Sequence, residues 1–221
     1  MQRWTASKAI AGRMTMPLLA AIILAGGQSK RMGQDKALVA IQDVPLLQRV
    51  CDIALQCTSI VYVITFRPER YRAIVPPACH LIQEYALPGE NTPHGPLIGF
   101  AQALETLQPA AQTEWVLLLA CDLPYLSGER LQHWTNALEH VGDAIALLPR
   151  STKGWEPLCG FYRTSCLASL RAAIERGDRS FQSWLAQEFV QELPLHDTQM
   201  LFNCNTPQDL ERVRSQEERS E

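Results

Sequence analysis

The chain has 221 residues, 47% of them hydrophobic and 19% charged, with a formal net charge of −3. Such a chain suits one domain of ~100–200 residues, burying roughly 70% of its unfolded surface without disulfides or a structural metal. The composition excludes general disorder, and the slight acidity argues against a constitutive nucleic-acid binder.

Residues 1–16 show no sustained apolar period and read as a loose extension, with Met14 and Met16 as alternative starts. Arg3, Lys8 and Arg13 ahead of the apolar run 17–25 imitate a secretory signal. The run is short and a basic glycine segment follows it, so the signal reading is set aside. No segment approaches the ~20 apolar residues that span a bilayer. The seven cysteines contain no CxxC pair and no zinc-finger spacing with histidine, and they read as reduced thiols of a cytoplasmic protein.

Residues 20–25 form a continuous apolar run closed by glycines, the pattern of a strand buried on both faces. Residues 45–57 open on Pro45 and carry apolar side chains at helical spacing. A β-branched strand is expected at 60–64, a short helix at 68–75 and a strand at 80–83. A helix at 96–107 precedes the fully apolar strand 115–120. Ser127 is placed to cap a helix running to His140. A strand at 144–148 follows, then a strand at 157–162, helices at 165–176 and 180–189, and a weak strand at 190–193. Pro207 opens a last helix to about Arg214, and residues 215–221 read as a frayed, solvated tail. Of the tryptophans, Trp134 and Trp155 are the expected core members. Strands separated by helices mean βαβ units and a mainly parallel sheet covered on both faces.

In such sheets ligands bind beyond the carboxyl ends of the strands. Two strand ends carry chemistry. The first is LAGGQSKRMGQDK, residues 24–36. Gly26 and Gly27 let backbone N–H groups approach an anion, and Lys30, Arg31 and Lys36 against Asp35 give a local charge of +2 in a chain of −3. That combination suits a triphosphate, although the spacing is neither a P-loop nor GxGxxG. The second is Asp122, directly after an apolar strand, a carboxylate suited to Mg2+ and an alternative helix cap. Between them, Gly95 and Gly99 would let a base or sugar approach the backbone. Glu84 is a candidate acceptor for a guanine or ribose edge, or else a solvated loop carboxylate. His94 is read as a loop residue, not a catalyst.

The segments LAGGQSKRMGQDKAL, GPLIG, CDLPYL, EPLCGFY and NCNTPQDL, in this order, closely resemble the molybdenum cofactor guanylyltransferases. The resemblance runs from about residue 19 to residue 210. Gly27 makes the AGG variant of a motif that CTP-using relatives tend to carry as AAG. The resemblance implies a three-layer, Rossmann-like α/β nucleotidyltransferase with a mainly parallel sheet, one domain over 17–214. It implies transfer of GMP from GTP to the phosphate of molybdenum-molybdopterin, with Mg2+ as cofactor and pyrophosphate released. Leu24, Ala25, Gly26, Gly27, Glu84 and Gly95 would lie against GTP. Lys36 and Arg31 would meet its phosphates, Asp122 would bind nucleotide and metal, and Asn203 and Asn205 would lie on the pterin side. The family commonly has Asp where this chain has Glu84. Transient partners would be molybdenum-insertion proteins or recipient enzymes, with no nucleic acid and no membrane. A related cytidylyltransferase and a non-catalytic cofactor carrier are the competing readings.

Overall fold

The computed structural model describes residues 18–26, 32–87, 95–107, 113–195 and 198–219. Seven strands make one sheet: β1 (Leu19–Leu24), β2 (Val61–Thr65), β3 (Cys79–Gln83), β4 (Trp115–Ala120), β5 (Ala146–Leu148), β6 (Cys159–Arg163) and β7 (Val190–Glu192). Their spatial order is β7-β5-β6-β4-β1-β2-β3. Every pairing is parallel except those of β6, which runs against both β4 and β5.

The unbroken apolar runs have a direct structural cause. In β1, Ala21 and Ile23 point into one core while Ala20 and Ile22 point into the other. In β4, Trp115, Leu117 and Leu119 face the first core, and Val116 and Leu118 the second. Successive side chains alternate across a strand, so a strand covered on both faces must be apolar throughout. The first core is closed by α1 (Leu46–Cys57) and α3 (Gly128–Thr135). The second is closed by α2 (Pro96–Leu107), α4 (Leu167–Glu175) and α5 (Phe181–Leu185). The result is the expected α/β sandwich of three layers. Ser127 caps α3 as its position suggested, its hydroxyl accepting from the Arg130 N–H at 3.4 Å.

Several local expectations are corrected. Residues 68–75 do not form a continuous helix: one 3-10 turn, Pro68–Arg70, is followed by turns. The segment after Thr135 tightens into a 3-10 helix, Asn136–His140. The helix expected at 180–189 is the five-residue α5. Trp184, not Trp155, is the deeply buried tryptophan beside Tyr162, while Trp155 is half-exposed under the guanidinium of Arg150.

A last helix, α6 (Pro207–Glu217), starts at a capping box in which Thr206 and Asp209 satisfy each other's backbone N–H groups. It continues three residues past Arg214, the end expected from the sequence. Arg49 holds Glu217 through two hydrogen bonds, of 2.8 and 3.2 Å. Leu210 and Val213 of α6 join Met32, Val39, Ile41, Leu46 and Cys204 in a third, smaller core. Ile41 belongs to a short hairpin, residues 40–45, whose turn residues Gln42 and Asp43 both have positive φ. α6 therefore packs behind the segment that leads from β1 into α1.

Candidate active site

The chain leaves β1 toward β2 and β3 on one side, then crosses back to β4 on the other side of β1. The strand order thus reverses between β1 and β4, where an open α/β sheet has its ligand crevice. The last residues of the two strands are direct neighbours, Leu24 opposite Ala120. The two strand ends singled out by sequence are therefore adjacent in space.

From β1 the chain passes through half-buried Leu24 and buried Ala25 to exposed Gly26. Gly26 has φ +150°, a conformation that side chains strain to reach, and a Cβ there would sit 3.4 Å from the Thr65 hydroxyl. Thr65 is buried at the end of β2, a neighbour that sequence reasoning did not single out. Gly27 and Arg31, like His94, lie outside the described residues. Further along, the Asp35 side chain caps a 3-10 turn, Lys36–Leu38. Asp35 is gripped from β2's exit loop: the Tyr71 hydroxyl donates to it at 2.8 Å and Arg70 pairs with it at 3.2 Å. Burial and this hydrogen bond push the Tyr71 phenol well above its ordinary range. Nothing local in the sequence announces this clamp, because its members are 35 and 36 residues apart.

The clamp fixes the backbone from which Lys36 reaches across. Its ammonium donates to Asp122 Oδ2 at 3.2 Å and to Asn205 Oδ1. These partners are 86 and 169 residues away, so three distant segments converge on one charge. The Lys36 and Asp122 side chains are 17% and 15% exposed, sheltered but open to a ligand. Burial pushes the Asp122 carboxyl above its ordinary value of 3.8, and the Lys36 charge opposes that rise. The Asp122 carbonyl also accepts the Cys204 N–H at 3.0 Å, tying the loop before α6 to the end of β4. Burial pushes the nearby thiols away from the thiolate form, Cys121 strongly and Cys204 to about 11.

Glu84 follows β3 and is 8% exposed, so it is not the solvated loop carboxylate of the bland reading. Its backbone N–H bonds the Thr65 carbonyl at 2.8 Å. Its carboxylate lies against Gly99 of α2, 3.6 Å from where a Cβ would stand. The space over Gly99 is therefore held by Glu84. Gly95 opens α2 with φ +96°, which favours glycine whatever occupies the crevice. Asn203 donates its amide to Leu201 O and does not share the Asn205 contact with Lys36.

Among the described residues no cluster of three or more His, Cys, Asp or Glu side chains could cage a metal. One carboxylate at a strand end still fits Mg2+, which dehydrates reluctantly and is commonly held by one or two carboxylates plus substrate phosphates.

Residues 21–193 match the MobA-like NTP transferase domain. The chain belongs to the MobA-like NTP transferase family. It is a nucleotidyltransferase. It is 55% identical, over 87% of its length and 88% of the relative's, to a probable molybdenum cofactor guanylyltransferase of Trichormus variabilis. Molybdopterin-guanine dinucleotide biosynthesis protein A from Archaeoglobus fulgidus shares the fold, with TM-score 0.71 at 23% identity, covering 90% of this chain and 99% of that one. The Rv0371C protein of Mycobacterium tuberculosis, solved in complex with manganese, also shares it, with TM-score 0.62 at 15% identity over 91% of this chain and all of that one. The MobA-like match ends before Asn203 and Asn205, and Asn205 reaches the Lys36 ammonium from outside it.

Proposed function

We propose that this nucleotidyltransferase moves a guanylyl group from GTP to the phosphate of molybdenum-molybdopterin, releasing pyrophosphate. The observation that carries the reading is the meeting of Lys36 and Asp122, 3.2 Å apart at the switch point of the sheet. The molybdenum cofactor guanylyltransferase name of a relative 55% identical supports the choice of donor and acceptor.

The acceptor phosphate is already an anionic nucleophile, so no general base is required. Its oxygen forms a bond to the α-phosphorus, the bond to the β-phosphate oxygen breaks, and pyrophosphate leaves with the electron pair. The barrier is the approach of two anions and the charge gathering on the departing oxygens. Lys36 offsets that charge from a preset position, and a preset cation costs no reorganisation at the moment of reaction. Gly26 and Gly27 offer backbone amides, and Arg31 a second cation. Leu24 and Ala25 line the nucleotide's approach at the end of β1. Glu84 and Gly95 lie on the base side. Asp122 would hold Mg2+ together with the triphosphate, and the ion would supply Lewis-acid polarisation of phosphate oxygens. Asn203 is assigned to the acceptor side by family resemblance alone.

Residues 17–214 act as one catalytic unit in this reading. Among the described residues no helix is long and apolar enough to cross a membrane. A cytoplasmic location, and passing contact with molybdenum-insertion proteins or recipient enzymes, belong to the same proposal.

The test is pyrophosphate release and dinucleotide formation from purified protein, Mg2+, GTP and molybdenum-molybdopterin. Turnover is expected only with both substrates present. Turnover with CTP in place of GTP would overturn the donor assignment. Tight cofactor binding without pyrophosphate release would make the protein a carrier.

A further inference from the structure

The loop before α6 touches both halves of the charge centre. Cys204 N–H donates to the Asp122 carbonyl, and the next residue, Asn205, offers its side-chain oxygen to the Lys36 ammonium. The Asn205 amide is oriented at its other end, where Nδ2 donates to the Asn203 carbonyl at 3.3 Å. Its backbone is held as well: Asn205 N–H and Thr206 N–H both donate to Asp209 Oδ2, at 2.9 and 2.8 Å. Asp209 is part of the α6 capping box, and α6 is anchored by Leu210 and Val213 in the third core. A long lysine carries ~2 kcal/mol of rotamer entropy that must be lost before it meets a ligand in one geometry. Here part of that ordering is built into the fold before any ligand arrives.

We infer that Asn205 is a positioning residue for Lys36, acting on the triphosphate side of the site, and that the α6 capping box is what holds it there. The inference rests on the proposed phosphate role of Lys36. It differs from an acceptor contact in what it predicts. Asn205 acts only through Lys36, so removing Lys36 must abolish the effect of removing Asn205.

The experiment is a double-mutant cycle read by titration calorimetry with GTP and Mg2+, with no acceptor present. Asn205→Ala is expected to weaken GTP binding about tenfold or more, the range for losing a hydrogen bond to a charged group. In a Lys36→Ala background the same change is expected to have no effect, so the two losses are strongly non-additive. Asn205→Ser, whose hydroxyl is too short to reach, repeats the measurement should the alanine variant fold poorly. A second readout is the Michaelis constant for molybdenum-molybdopterin at saturating GTP, expected unchanged in the Asn205 variants. Unaltered GTP binding in Asn205→Ala, or equal losses in the two backgrounds, would overturn the inference. So would a raised acceptor Michaelis constant with GTP binding intact. Should wild type bind CTP and not GTP, the guanine reading falls while the cycle, run with CTP, still decides the role of Asn205. Binding of no nucleoside triphosphate would remove both.

Discussion

Lys36 and Asp122 each have two tasks. In the protein they compensate each other's charge in a sheltered crevice, and in the proposed reaction Lys36 would meet phosphate oxygens and Asp122 the divalent ion. Lys36→Ala removes the cation and leaves a largely buried carboxylate without the ammonium 3.2 Å away. The expected loss in turnover is roughly 10²–10³, by analogy with deletion of one preset oxyanion donor. Lys36→Arg is not expected to rescue it, because the wider planar guanidinium cannot reproduce a point contact shared by Asp122 and Asn205. Steady-state rates with GTP at saturation check both. Asp122→Asn keeps the shape of the side chain and removes the charge that a divalent ion requires. It is expected to abolish the Mg2+-dependent part of GTP binding while leaving the fold intact, since burial already disfavours the charged carboxylate. Mg2+ titrations of GTP affinity would reveal the loss. A variant that retains the full Mg2+ effect would remove Asp122 from the metal site.

At the level of elements, the capping box of α6 carries a pH signature. Burial opposes the Asp209 charge, but hydrogen bonds from Asn205 and Thr206 more than offset it and hold its carboxyl below 3.8. A lowered carboxyl pKa adds stability that is complete above the ordinary value and fades as pH falls through the folded value. The melting temperature is therefore expected to drop as pH falls below 3.8, and Asp209→Asn to flatten that drop. Thr206→Ala at neutral pH is expected to cost ~1 kcal/mol through the lost cap. The helix start was legible in the sequence at Pro207, but the Thr206–Asp209 capping box was not singled out there. The contact between Asn205 and Lys36 was not legible either, because no local pattern encodes a contact across 169 residues. The hairpin at 40–45 was missed for another reason: its positive-φ turn is built from Gln42 and Asp43 rather than the Asn-Gly or Asp-Gly that announces such turns. The helix expected at 68–75 failed because Tyr71 and Arg70 are spent on Asp35 in a turn. In α2, Gly99 is a different case. A methyl group would meet the Glu84 carboxylate at ordinary contact distance, 3.6 Å. Gly99→Ala is thus expected to raise stability by roughly 0.5–1 kcal/mol, the helix-interior cost of glycine. A lowered melting temperature would mean that Glu84 cannot keep its place against a methyl group.

Across the whole molecule, the alternation of apolar runs with helical segments was enough to fix the layer architecture, since only a sheet covered on both faces needs strands like β1 and β4. The strand order was not readable, and neither was the reversal of β6. Those depend on which edges meet after collapse, a global choice with no local period. That order is nevertheless what turns two separate motifs into one site, by setting Leu24 beside Ala120. A site assembled from β1, β4 and the loop before α6 should stabilise the entire fold when filled, because its ligand bridges segments that unfold together. A ligand selective for the folded state adds about 2.7 kcal/mol at 100 times its dissociation constant. With Mg2+ present, GTP is expected to raise the melting temperature and CTP, ATP and UTP to leave it nearly unchanged. The GTP shift is expected to shrink in Lys36→Ala and to lose its Mg2+ dependence in Asp122→Asn. A shift with CTP alone would redirect the donor assignment to cytidine while keeping the same crevice. A GTP shift that survives both substitutions would mean that the nucleotide binds elsewhere on the fold, and the convergence of Lys36, Asp122 and Asn205 would need another purpose.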